Sequence, residues 1–166
     1  VPWPNDLRIV LTGGGRVAKG AMETLEASGI ARIDASEIGQ KEGPYWSQLD
    51  VQHYYKRKDG GAFDRKALFR DPSPYVSNFP VYAKHATMYI AGHYYDQRAP
   101  FIFSREQAKA ADFNIKYVGD ISCDIDGPVA STLRPSTIDA PFYGYHAACE
   151  QEVSHETGDA IGVMAV

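Results

Sequence analysis

The chain has 166 residues, enough for one domain with a full hydrophobic core. Apolar residues make up 44% and charged residues 23%, which excludes global disorder, and a net charge of −4 leaves no basic footprint for nucleic acid. No apolar run approaches the roughly 18 residues of a membrane span, and there is no signal peptide. The two cysteines, Cys123 and Cys149, lack metal-ligand spacing. The reading is a reduced, cytoplasmic setting with both thiols free, a disulfide between them being the alternative.

Residues 1–6, with Pro2 and Pro4, read as a proline-stiffened linker. The chain lacks an initiator Met and stops inside the apolar run Val163 to Val166. The expectation is one domain, 7–166, cut from a longer two-domain polypeptide.

Leu7 to Leu11 is an apolar run that predicts a buried strand. Thr12-Gly13-Gly14-Gly15 breaks it, and a helix is predicted from Arg16 to Ser28, with Val17, Ala21 and Leu25 on one face. Gly13, Gly15 and Ala18 fill the spacing G-x-G-x-x-G/A. In that motif the first glycine permits the tight turn and the second lets backbone approach a pyrophosphate. The third small residue lets helix and strand pack closely. The unpaired N–H groups at the helix start then face the anion. Arg16 leans over that anion or is a solvated first-turn residue. Gly29 follows as a left-handed cap.

Ala31 to Asp34 reads as a short second strand ending in an acid. Asp34 stands about 20 residues beyond Gly13, where the dinucleotide fingerprint expects a carboxylate on the ribose hydroxyls. Its charge favours NAD over NADP, with Ser36 and Lys41 nearby keeping NADP open. Residues 39–80 are the least regular part. There Val51 to Tyr55 reads as a short strand and Asp64 to Arg70 as a helix. Lys56-Arg57-Lys58 is a solvated loop or a contact for an acidic substrate or another domain.

Thr87 to Gly92 predicts a further buried strand leading into His93-Tyr94-Tyr95. Ser104 and Gln107 form a capping box for a helix over Arg105 to Ala111. Tyr117 to Ser122 is a strand, 131–145 alternates extended runs with turns, and 158–166 supplies the last strand. Strands alternating with helices after a glycine turn predict an α/β fold. The expected form is a Rossmann-type three-layer sandwich around a mainly parallel sheet.

Gly13 to Ala21, Val118 to Gly127 and Ser136 to Phe142, with Ala91 to Tyr95 beside them, resemble one known family. It is the nucleotide-binding domain of saccharopine dehydrogenases and lysine–ketoglutarate reductases, within the alanine dehydrogenase/transhydrogenase superfamily. The likeness covers most of Leu7 to Val166 and is weakest over 39–80. It implies an NAD(P)-dependent oxidoreductase that interconverts an amino acid plus an oxo acid with a secondary amine, through an imine and a hydride transfer. It implies that the proton-transferring Lys and His belong to another domain sharing the substrate, so no catalytic residue is assigned here. It places Asp120 and Ser122 beside the cofactor cleft. Val17 stands where some fungal members carry a cysteine, a change without consequence for a phosphate held by backbone.

The candidate cofactor-binding residues are therefore Gly13, Gly15, Arg16, Val17, Asp34, Gly92, Asp120 and Ser122, with NAD as cofactor, NADP possible, and no metal. A methyltransferase using S-adenosylmethionine and a non-catalytic Rossmann module are the rival readings. His93 reads as a partly buried histidine bonded to its neighbours or as a ligand contact. Tyr94 and Tyr95 are packing residues or stack on a nucleotide base. Asp120 and Ser122 could instead cap a turn. Asp124 with Asp126 lacks a wider ligand set for a metal, and Cys123 reads as a buried, inert thiol or as a reactive one beside a helix or phosphate site. His53, His85, His146 and His155, without an identified partner, read as structural or surface residues.

Overall fold

The apolar run before the glycines forms β1 (Arg8–Thr12) in the computed structural model, which describes residues 2–166. Its last four residues are buried. It is hydrogen-bonded on both sides, to β3 (Tyr45–Leu49) and to β6 (Met88–Ala91), both parallel to it. A strand covered on both faces needs a continuous apolar run rather than alternation, and Ile9-Val10-Leu11 supplies it. Side chains alternate across the sheet. Ile9 and Leu11 pack under α1 (Arg16–Ala27) with Ala18 and Leu25, while Val10 joins a larger, aromatic-rich core on the opposite face. The helix ends at Ser28, and Gly29 takes φ +76°, as expected of its position.

The main sheet has eight strands. Their order is β2 (Ala31–Arg32), β3, β1, β6, β7 (Tyr117–Asp120), β10 (Ile161–Ala165), β8 (Tyr143–His146) and β9 (Gln151–Val153). The first six are parallel; β8 and β9 add an antiparallel edge. The chain leaves β1 for β2 and β3 on one side, then crosses to β6 on the other. The strand order reverses there, which in open α/β sheets is where ligands bind. The α/β, Rossmann-like expectation holds.

The helical layers are thin. Beyond α1, the helices α2 (Val51–Tyr54), α3 (Arg65–Arg70), α4 (Pro80–Ala83) and α5 (Arg105–Ala108) have four to six residues each. Ser104 and Gln107 cap α5 reciprocally, but the helix stops at Ala108 rather than Ala111. Val51 to Tyr54 is helical instead of extended. Asp50 accepts from the Val51 amide at 2.8 Å, and His53 Nδ1 accepts from the Asp50 amide at 2.9 Å, so local capping wins over the β-prone composition. A small antiparallel ribbon, β4 (Tyr55–Arg57) with β5 (Tyr75–Ser77), follows from the same stretch. No helix among the described residues is long and apolar enough to cross a membrane.

Candidate functional site

A cleft of about 900 Å³ opens at the carboxyl ends of β1, β3 and β6, with the loop after β7 on its rim. Its floor is the glycine turn. Gly13 has φ +111°, and a Cβ there would stand 2.5 Å from the Gly92 carbonyl oxygen, so only glycine fits. The turn is pinned from both sides. The Gly13 amide donates to the Leu49 carbonyl at 3.1 Å, and the Gly92 amide to the Thr12 carbonyl at 3.1 Å. Gln48 Nε2 donates to the Gly13 carbonyl at 2.8 Å.

Gly15 is the N-cap of α1 and offers no side chain to the first-turn amides. A Cβ on Gly15 would meet nothing within 4 Å. The first turn carries no acidic residue. Its amide donors, the positive end of the helix dipole and the exposed Arg16 therefore face the cleft with no carboxylate from their own turn beside them. Val17 is 52% exposed beside them. Ala18 is fully buried, and a Cβ on Gly92 would lie 3.3 Å from its Cα, so the helix packs on the end of β6 through two small residues.

Asp34 lies elsewhere. β2 pairs with β3 and not with β1, so the acid that follows it is one strand further out. Its carboxylate accepts from the Ser36 amide at 2.9 Å and the Ser36 hydroxyl at 2.7 Å, starting a short 3-10 helix at Ala35–Glu37. Those bonds hold the carboxyl below its ordinary range. Asp34 lines a smaller depression with Arg32, Gln48 and His53, and not the main cleft. The strand beside β1 is β3, and the acid that follows it is Asp50, which lines both hollows. Asp50 Oδ2 is paired with Arg65, another cleft residue. The sequence signal for β3 was limited to Tyr45, Trp46 and Leu49, interrupted by Ser47 and Gln48 and followed by the capping acid Asp50.

Asp120 is fully buried and lies behind the cleft surface. Oδ1 accepts from the Ser122 amide (3.0 Å), the Ser122 hydroxyl (2.6 Å) and the Cys123 amide (3.0 Å); Oδ2 accepts from the Thr132 hydroxyl at 2.6 Å. Ser122 does line the cleft, with Ile121 and Asp124, but its proton is spent on Asp120. Asp120 thus braces the loop that presents Ser122. Burial, assisted by the Asp120 charge, raises the Asp124 carboxyl.

Tyr94 and Tyr95 also line the cleft. Tyr94 is 89% exposed and so is not a core residue, while the Tyr95 hydroxyl donates to the Ala99 carbonyl at 3.2 Å. His93 is buried. Its Nδ1 lies 2.8 Å from Thr12 Oγ1, which lies 2.8 Å from the Tyr89 hydroxyl. Burial pushes the imidazole down to about 4, so the ring is neutral at physiological pH.

Elsewhere, Cys123 and Cys149 are free. His146, expected to lack a partner, has two: Asp159 at 2.9 Å and the Cys149 sulfur at 3.2 Å. In the basic run, Arg57 is paired with Asp59 at 2.6 Å and Lys58 donates to the Ser73 carbonyl at 2.7 Å. Among the described residues no group of His, Cys, Asp or Glu side chains is placed to hold a metal ion.

No family model matches the chain. It is similar to the mitochondrial α-aminoadipic semialdehyde synthases of Rattus norvegicus and Bos taurus, 26% identical in each case across 95% of this chain and 19% of the relative. The α-aminoadipic semialdehyde synthase of Arabidopsis thaliana is 24% identical across 96% of this chain and 17% of the relative. The chain spans about a fifth of the length of these curated relatives. Over most of its own length it is a distant relative of α-aminoadipic semialdehyde synthase.

Proposed function

We propose that this chain is the dinucleotide-binding domain of an NAD(P)-dependent oxidoreductase acting at a C–N bond of an amino acid, of the saccharopine dehydrogenase kind. The observation that carries the reading is the Gly13–Gly15 turn at the reversal of strand order, with the uncapped start of α1 facing the cleft. The space beside Gly15 that any side chain would enter, and the donors around it, fit a pyrophosphate. Arg16 adds positive charge at the same place, and Val17 contributes through its backbone.

The ribose of the adenosine half belongs with Asp50 rather than Asp34, because Asp50 follows the strand that neighbours β1. A carboxylate there accepts from free ribose hydroxyls and repels a 2′-phosphate, which favours NAD. NADP would require Arg65 to leave Asp50 and turn to the phosphate. Gly92, Ile121 and Ser122 line the cleft on the β6 and β7 side, where the nicotinamide half would lie. Bound nicotinamide would supply the hydride chemistry. The residues of this chain would hold and orient it, with the acid, the base and the amino-acid or oxo-acid site shared with another domain. The relatives are named as synthases of α-aminoadipic semialdehyde, an amino-acid aldehyde, which is consistent with chemistry on an amino acid.

Calorimetric titration of the chain with NADH, NADPH and S-adenosylmethionine tests the proposal. NADH binding with no turnover of saccharopine or alanine is expected. Binding of S-adenosylmethionine in preference to NADH would instead make the cleft that of a methyltransferase. No nucleotide binding at all would leave a Rossmann module without a cofactor role.

A further inference from the structure

We propose that Cys149 is a reactive thiol that exchanges with small soluble disulfides, with His146 as its base and Asp159 holding the imidazole. None of the three lines the cleft, so the proposal is independent of the function assigned there. The group is built at the turn of the β8–β9 hairpin. His146 and Gln151 are the last paired residues, and 147–150 connect them. The Glu150 amide donates to the His146 carbonyl at 2.8 Å, and Glu150 takes φ +57°, a left-handed residue that closes the turn. The closed turn folds Cys149 back over the residue that begins it. Cys149 Sγ lies 3.2 Å from His146 Nδ1, and the Cys149 amide donates to the same nitrogen at 3.4 Å.

The third group arrives from a neighbouring strand. β10 runs antiparallel to β8 with Ile161 opposite Tyr145, so Asp159, two residues earlier, reaches the end of β8. Its Oδ2 lies 2.9 Å from His146 Nε2. A carboxylate accepts and does not donate, so Nε2 carries a proton and the neutral ring turns its Nδ1 lone pair to Cys149. Two donors meet that lone pair, the Cys149 amide and the Cys149 thiol. At 3.4 Å the amide is beyond the usual hydrogen-bond range, and the thiol is the closer donor although sulfur is the larger atom. Carboxylate, imidazole and thiol thus stand in the order that gives a nucleophile's proton somewhere to go.

Cys149 is exposed, so a disulfide in solution can reach the sulfur. The open surface imposes no shape on the reagent, which suits a small disulfide such as glutathione disulfide. Cys123 offers a contrast in the same chain. Burial raises its thiol, with the charges of Asp120 and Asp124 adding to the effect, and a carboxylate rather than an imidazole stands beside it. The exchange at Cys149 balances. As Sγ attacks one sulfur of the disulfide, its proton passes to His146 Nδ1, a new S–S bond forms and the S–S bond of the reagent breaks. Asp159 stabilises the imidazolium, and the departing sulfur takes the proton. Cys149 is oxidised and the leaving half of the reagent is reduced, giving one mixed disulfide and one thiol.

Glutathione disulfide is the probe, and mass spectrometry of the digested chain reads adduct formation at Cys149 and Cys123 separately. At neutral pH, Cys149 of the folded chain is expected to react about 3–10-fold faster than the same thiol in the urea-unfolded chain. His146→Phe, which keeps a ring without an acceptor, should bring the folded rate down to the unfolded rate or below it. Asp159→Asn, a change at an exposed side chain, should lower the rate by about twofold or more. Thermal unfolding establishes that each variant folds. If His146→Phe does not, Asp159→Asn and the comparison of folded with unfolded parent decide the matter. A folded-state rate at Cys149 no higher than the unfolded one overturns the proposal. So does the parental rate in folded His146→Phe or in Asp159→Asn, either of which would leave His146 as a cap for its turn.

Discussion

Two glycines of one turn, Gly13 and Gly15, should respond oppositely to the same added methyl group. At Gly13 the backbone has φ +111°, and an alanine Cβ would lie 2.5 Å from one backbone atom of Gly92 and 2.8 Å from another. Neither obstacle is a flexible side chain, so the β1–β6 junction must move. Strained backbone at such a φ costs about 1–3 kcal/mol, and forced overpacking about 1–3 kcal/mol more. Gly13→Ala should therefore destabilise by about 2–6 kcal/mol, which for a chain of this size lowers the melting temperature by at least about 5 °C. At Gly15 the added Cβ meets nothing within 4 Å. Alanine is a poorer N-cap than glycine, so Gly15→Ala costs within about 1 kcal/mol, or about 3 °C. Its effect falls on the ligand, because the methyl group occupies the approach to the α1 amides, and NADH affinity should drop by about tenfold or more. Thermal unfolding by circular dichroism and NADH titration of both variants provide the measurement. A Gly13→Ala melting temperature within about 2 °C of the parent would refute the steric reasoning. A Gly15→Ala variant with parental NADH affinity would refute the phosphate reading.

Asp50→Ala should weaken NADH by about tenfold, a lost pair of ribose contacts, whereas Asp34→Ala should leave NADH affinity within about twofold and lose only its helix cap, about 1 kcal/mol; the reverse ranking in calorimetry would restore Asp34 to the ribose. Asp120→Ala strips the acceptor from two hydroxyls and two amides, so a loss of at least about 3 kcal/mol is expected in urea unfolding; a neutral variant would mean the β7 loop holds without it. The His93 imidazole, pushed by burial from 6.5 to about 4, makes the folded state bind fewer protons than the unfolded state between those values. Stability from this group is full above about pH 6.5 and is lost as pH falls toward 4, by about 3 kcal/mol. His93→Gln should lose that much less than the parent between pH 7 and 4, and parallel stability curves for the two proteins would contradict the assignment.

The parts of the fold legible in the sequence are those where one residue type meets one local demand. Gly13 could be read because a positive φ against a neighbouring backbone admits nothing else. The Ser104–Gln107 box could be read because both of its hydrogen bonds lie within four residues. Strand β1 could be read as a continuous apolar run because it is covered on both faces, and β6 and β7 could be read from apolar stretches although they are buried only at alternate positions. β3 could not, since Ser47 and Gln48 interrupt its apolar character and Gly43-Pro44 before it signals a loop. Val51 to Tyr55 favours a strand on composition through Val51, Tyr54 and Tyr55, while Asp50 and His53 make 51–54 helical by capping and leave only Tyr55 extended.

The site was harder to read than the fold, for a reason that the placement of Asp34 makes plain. The rule that seeks a carboxylate about 20 residues beyond the first glycine assumes that the second strand in the chain is the second strand in the sheet. Here the two-residue β2 pairs on the far side of β3, and the longer β3 takes the place next to β1. A ligand lying across the sheet reads distance from β1, and spacing along the chain reports that distance only while no strand intervenes. The His93 chain obeys the same logic. Thr12, Tyr89 and His93 come from two strands that are neighbours in space but 77 to 81 residues apart in sequence, so no local pattern could announce them. What the sequence did carry was the location, since a histidine just past a strand's carboxyl end is where such a sheet puts its ligands. The pairing of β1 with β6 is what brings Thr12 and Tyr89 to that histidine.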